Sequence, residues 1–227
     1  MCDAASASSA FKESMKRPVP NESSLPEQQE LLAALRQQPE EAFADFFQTA
    51  KQRLHRIANF RMDYRLRGRV DESDVIQETY VRAAQRLDRY LENPEVPFFV
   101  WLRTELNQKL IEIHRQHVLA GKRDVRKEQK INHAHTGQTS IALAAHLVGQ
   151  MTSASQLLER AEQIETLQKS LEEMNEMDRE VIALRHFEEL SNVETAEILG
   201  IETSAASKRY LRALKRMREI FEKHHQS

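Results

Sequence analysis

The chain has 227 residues, with 33 Lys and Arg set against 35 Asp and Glu for a formal charge of −2. Single hydrophobic cores are built from about 100–150 residues, so this length predicts one or two domains. Hydrophobic residues make up 40% and charged residues 30%, and five Gly and six Pro are too few for a turn-dense β-sandwich or barrel. The wealth of Ala, Leu, Glu, Arg and Gln favours helices almost throughout. The one cysteine, Cys2, leaves no internal disulfide and no Cys-based zinc site, which fits a reducing compartment. Residues 1–10 lack the basic start and apolar stretch of a secretory signal. The most apolar runs, 96–102 and 141–148, fall far short of the ~20 residues that span a bilayer. A cytoplasmic chain without membrane insertion is expected.

Residues 1–27, rich in Ser, Ala, Pro and Glu without periodicity, read as a disordered extension. Helical patterning starts at Leu31, Leu32 and Leu35, pauses at Gln38-Pro39, and resumes through Phe43, Phe46, Phe47, Leu54 and Ile57. A basic segment follows, with Arg53, Arg56, Arg61, Arg65, Arg67 and Arg69, and Gly68 marks a turn. Residues 71–90 form an amphipathic helix that Asp71 can cap, with Asp74 three residues on. Its inward stripe reads Val75, Ile76, Ala83, Ala84 and Leu87, and its outer stripe is acidic. Prolines at 94 and 97 break the chain into a loop. A helix then runs over about 98–117 with Phe98, Trp101, Leu102, Leu106, Leu110 and Ile113 on its apolar side. From 121 to about 155 the pattern decays; this stretch reads as a connection holding at most a short helix at 141–147. Periodicity returns with Leu157, Ile164, Leu167, Leu171 and Met174.

Residues 178–222 carry the sharpest signal. One helix bears Val181, Ile182, Leu184 and Phe187. Ser191 and Glu194 then have the spacing of a capping box, opening a short helix that Gly200 can close in the left-handed conformation. Thr203 can cap a second helix from Ser204, bearing Lys208, Arg209, Arg212, Lys215, Arg216 and Arg218. Ala196 and Ala206 put small side chains where the two helices would cross, and Tyr210 and Leu211 read as core. A short helix, a tight glycine turn and a basic second helix form the helix-turn-helix plan.

Two blocks resemble the compact extracytoplasmic-function (ECF) group of bacterial RNA polymerase sigma factors, of the sigma-70 family. The run RVDESDVIQETYVRA at 69–83 is similar to the family's region 2 helix, and FFVWLRTELNQKLIEIHR at 98–115 to its promoter-melting helix. REVIALRHFEELS at 179–191 and AEILGI at 196–201 are similar to region 4. Glu112 stands where many members have Asp, and residues 192–193 and 205–210 depart from the commoner pattern. The resemblance implies an all-α chain: a region 2 domain at 28–118, a flexible linker at 119–158 and a region 4 helix-turn-helix domain at 159–225.

The same resemblance implies a function without catalysis or cofactor: binding core RNA polymerase, recognising the −35 and −10 promoter elements, and melting DNA. Asp71, Asp74, Gln77 and Glu78 would dock on the clamp helices of the β′ subunit, with region 4 on the β flap. Ser204, Ala205, Ser207, Lys208, Arg209 and Arg212 would read the −35 element from the major groove, where N-terminal residues of a recognition helix reach base edges. Arg103, Asn107, Lys109 and Arg115, with the loop 91–97, would hold melted −10 strand, since they carry donors suited to a phosphate backbone. Trp101 sits on the apolar stripe, which favours a core role over a stacking platform. Promoter DNA and an anti-sigma factor complete the partners.

Three other classes share parts of this pattern. A response-regulator-type transcription factor would put an α/β receiver ahead of the motif, whereas 28–118 is helical in pattern. A helical adaptor that binds only proteins would not associate with core polymerase. An enzyme finds little support, because His133, His135 and His146 lie in the least patterned segment and no metal site is expected. Charge is unevenly placed: acidity gathers at 22–45, 71–78 and 159–180, and positive charge at 51–69, 122–130 and 208–218. The near-neutral total therefore does not argue against binding nucleic acid.

Overall fold

A computed structural model describes residues 25–62, 66, 68–119, 136–151 and 157–225. The extension at 1–24, most of the connection at 120–135 and 152–156, and Arg65, Arg67, His133 and His135 lie outside the described residues. The fold is all-α, in two compact units. No helix among the described residues is long and apolar enough to cross a membrane.

The first unit contains α1 (Leu25–Gln37), α2 (Pro39–Arg61), α3 (Glu72–Glu92) and α4 (Phe98–His114), which continues as a π-helical turn at Arg115–Leu119. Pro39 stands in the first turn of α2, where its missing N–H leaves nothing unsatisfied. The α2 residues Phe43, Phe47, Leu54 and Ile57 pack against Val75, Ile76, Ala83 and Leu87 of α3 and Phe98, Leu102 and Leu106 of α4 in a core of buried side chains. Aromatic rings gather at one end of it. Phe43 stacks on Tyr80 at 5.0 Å, Phe46 meets Phe98 edge-on at 4.9 Å, and Trp101 lies 4.7 Å from Tyr90. Trp101 is half-buried in this cluster. Ala84, expected on the inward stripe, is exposed, because the buried stripe runs 76, 79, 83, 87, 90 and turns position 84 away from it.

The second unit contains α5 (Thr136–Met151), α6 (Leu157–Glu173), α7 (Glu176–Ile182) with a π-helical turn at Ala183–Phe187, α8 (Asn192–Leu199) and α9 (Thr203–His225). The segment expected to hold a short helix at most has a helix of 16 residues. Leu143, Ala144, Leu147 and Val148 form a buried stripe along α5, which packs on α6. Gly, Ser and Thr weaken its intrinsic preference, so its order comes from burying this stripe. Asn175 caps α7 by accepting from the Asp178 N–H at 2.8 Å. The core of the unit is built from Leu167, Leu171, Val181, Ile182, Leu184, Ala206, Ala213, Met217 and Phe221.

Candidate nucleic-acid and partner interfaces

Asp71 caps α3, its carboxylate accepting from the Ser73 N–H at 2.8 Å. From there the helix carries Asp74, Gln77 and Glu78 on one exposed face. Val81 extends this face and is 53% exposed, an apolar side chain beside an acidic stripe. Sequence reasoning missed it. Its spacing of seven from Asp74 was the available signal, since that distance returns a helix to the same face. An acidic face with an apolar contact point suits a basic protein surface, where charge steers association and apolar burial adds affinity.

Behind this face runs an ion network joining α3 to α4. Arg82 pairs with Glu105 at 2.7 Å and with Glu112, and Arg86 reaches Glu105 at 3.1 Å. Lys109 is paired with Glu78 and lies 3.9 Å from Glu112. The hydrogen bond from Arg82 holds the Glu112 carboxyl below the usual range, and the same bond raises Arg82. Glu112 thus links Arg82 to Lys109 at the rim of the network, whose buried member is Glu105.

The four residues expected to follow a melted strand separate. Arg115 is exposed on the π-helical turn, while Asn107 and Lys109 are half-buried. Arg103 is 5% exposed and offers little surface to a phosphate. It lies four residues after Phe99 and three before Leu106, on the face that α4 buries. The loop 91–97 before α4 is well tied: Tyr90 Oη donates to the Val96 carbonyl at 2.7 Å, and Asn93 Nδ2 to Glu95 at 2.8 Å. Burial pushes the Tyr90 hydroxyl up to about 12, so it keeps its proton and remains a donor. Within the basic segment, Arg53 stacks 3.6 Å over the Phe99 ring, Arg61 is half-buried and Arg69 is exposed.

In the second unit the capping box is complete. Ser191 Oγ accepts from the Glu194 N–H at 3.1 Å, and Glu194 Oε2 accepts from the Ser191 N–H at 2.7 Å. Gly200 closes α8 at φ 62°, a left-handed conformation that glycine adopts without the steric cost of a Cβ. The Ile201 N–H returns to the Ala196 carbonyl at 3.0 Å and the Gly200 N–H to Glu197 at 3.2 Å, the bonds of a Schellman end. Helix α9 opens one residue earlier than expected. The Glu202 carbonyl accepts its first bond, from the Ala206 N–H at 2.9 Å, so Thr203 is the first helical residue and not the cap. Asn192 Nδ2 donates to the Thr203 carbonyl at 2.9 Å and ties the start of α8 to the start of α9. Ala196 and Ala206 are buried at the crossing.

Helix α9 presents Ser204, Lys208 and Arg212 exposed, with Ala205, Ser207 and Arg209 half-buried. Leu211, expected in the core, is 64% exposed. The buried stripe runs 206, 213, 217, 221, with half-buried Tyr210 in line with it, and Leu211 lies about 100° away from Tyr210. Further along, Lys215 pairs with Glu219 at 3.7 Å, Arg216 with Asp178 at 3.6 Å and Arg218 with Glu222 at 2.8 Å. Available positive charge is thereby concentrated on the N-terminal half of α9.

A capped short helix, a left-handed glycine and a second helix whose outer face is basic at its start define a DNA-binding module of the helix-turn-helix class. Residues 164–217 match the family model described as Sigma-70, region 4. The chain is 25% identical over 182 residues to the ECF RNA polymerase sigma factor SigW of Bacillus subtilis (strain 168), covering 79% of this chain and 89% of that protein. The solved structure of CnrH in complex with the cytosolic domain of CnrY is also similar, at 22% identity and a TM-score of 0.45, covering 84% of this chain and 94% of that one. The chain is thus similar to the ECF group of the sigma-70 family, and its family-model match is to region 4, at residues 164–217.

Proposed function

We propose that this protein binds core RNA polymerase and directs transcription initiation at a promoter with separate upstream and downstream elements. The observation that carries the reading is the helix-turn-helix inside the region 4 match, with Lys208, Arg209 and Arg212 on the N-terminal half of α9. These side chains, with Ser204, Ala205 and Ser207, read the −35 element in the major groove. Leu211 joins them as an apolar contact suited to a thymine methyl. Asp71, Asp74, Gln77, Glu78 and Val81 form the polymerase-docking face of α3, which an anti-sigma factor would compete for. Region 4 docks on the β flap. Asn107, Lys109, Arg115 and the loop 91–97 hold the −10 strand; Arg103 is left out because it is buried. Extruding a base costs a few kcal/mol of unstacking, which strand contacts must recover.

The test is reconstitution with bacterial core polymerase and genomic DNA, followed by mapping of transcript 5′ ends. Start sites sharing two spaced upstream motifs, absent with core polymerase alone, are the expected outcome. No association with core, or no initiation above core alone, overturns the reading.

A further inference from the structure

Helix α9 is held from beneath by a polar pair of one buried and one half-buried side chain. Tyr210 Oη lies 2.7 Å from His186 Nε2, and His186 is 7% exposed. The Arg185 guanidinium stands 5.4 Å from the Tyr210 ring centre. The backbone carbonyl of His186 accepts from His146 Nε2 of α5 at 2.9 Å, and the His146 ring packs 4.9 Å from Phe187. His186 sits in the π-helical turn at Ala183–Phe187, a wide turn often found at functional sites.

Apolar contacts between helices are non-directional and tolerate rotation about the helix axis. A hydrogen bond does not, because it weakens steeply away from linear geometry. Tyr210 lies between Arg209 and Leu211 and within three residues of Ser207, Lys208 and Arg212, so its anchor sets the direction in which they point. We propose that His186 is a positioning residue for promoter reading: through Tyr210 it fixes the rotation of α9, and through its carbonyl it ties that rotation to α5, outside the region 4 match. This rests on the reading of α9 as the recognition helix. The pair is neutral at pH 7. Burial, with His146 and Arg185 nearby, pushes the His186 imidazole down to about 4, and burial raises Tyr210, so its hydroxyl stays protonated.

The test uses holoenzyme reconstituted with full-length variants and two probes. One is a duplex selected by wild-type holoenzyme from a randomised library; the other is the same duplex with its upstream element scrambled. Tyr210→Phe should lower the ratio of the two affinities roughly fivefold and His186→Phe by about as much or more, while binding to the scrambled duplex holds. His186→Gln, which keeps a hydrogen-bonding nitrogen near the place of Nε2, should restore most of the ratio. Unchanged ratios, or equal losses on both duplexes tracking a lower melting temperature, overturn the proposal. If His186→Phe fails to fold, Tyr210→Phe, which removes one oxygen, decides alone. Arg212→Ala separates the two readings: if it lowers the ratio and Tyr210→Phe does not, only the positioning role fails. If Arg212→Ala also has no effect, the assignment of α9 fails.

Discussion

Between α3 and α4 the fold is held by five charged side chains, Arg82, Arg86, Glu105, Lys109 and Glu112, joined at the edge by the exposed Glu78. Beneath α9 the corresponding work falls to one neutral pair, His186 and Tyr210. The first arrangement is shared over many partners and partly solvated, so loss of one rim contact is absorbed by the others. The second is one part-buried hydrogen bond between neutral groups, with no alternative partner among the described residues to take over when either group is removed. On the proposed function, the difference separates a surface charged to meet a partner from a helix that has to be aimed.

The largest expected effect comes from the buried centre of the network. Glu105 is 6% exposed and takes hydrogen bonds from both Arg82 and Arg86. Glu105→Ala should destabilise the first unit by roughly 2–3 kcal/mol, because it strips a partly buried arginine of a partner. Trp101, the single tryptophan, lies in that unit and reports the change as a shifted urea midpoint. A shift below about 0.5 kcal/mol would mean the network is ornamental to stability.

Acidification should separate the units. His186 titrates near 4 in the fold against an ordinary 6.5, so its contribution is fully present above 6.5 and is lost as pH falls toward 4. Glu112 is lowered as well, by its pairing with Arg82, but from a lower starting value: its stabilisation holds above 4.5 and fades only as pH drops through its lowered value. Between pH 6.5 and 5, the protection factors of α9 amides, taken relative to intrinsic exchange at each pH, should therefore fall, while the Glu112 network adds no pH dependence to the Trp101-reported transition. Constant α9 protection over that window would show that His186 is not held neutral by the fold.

The smallest stability effect belongs to the rim. Glu78 is exposed, and its pair with Lys109 should be worth about 0–1 kcal/mol to the first unit. Glu78→Gln is expected to leave the urea midpoint nearly in place while weakening core polymerase binding several-fold in a titration. A change in stability without a change in polymerase binding would mark the stripe as an ordinary solvated face.

Much of this was legible in the chain. The Ser191–Glu194 box, Gly200 and the cap Asp71 follow from local chemistry and are found where the spacing puts them. Positions that depend on the angle of a stripe were less legible. Arg103 and Leu211 were assigned by residue type, a cation to the surface and a leucine to the core, and both lie on the opposite side. In each case the periodicity of neighbouring buried residues held the answer and residue type misled. Helix α5 lacked even that signal, because its glycines and hydroxyl residues blur a stripe that only α6 makes worth burying.

The sequence by itself determined the helices, their caps and turns, and the two motif blocks, because these depend on residues within a turn or two of one another. The tertiary structure decided which charges are available. It drew Glu105, Glu112 and Lys109 into a network, paired Arg216 with Asp178, and put His186 under Tyr210. Those partners stand 23 to 38 residues apart, and only packing brings them within hydrogen-bonding range, where the Coulomb and desolvation terms that set their roles take effect.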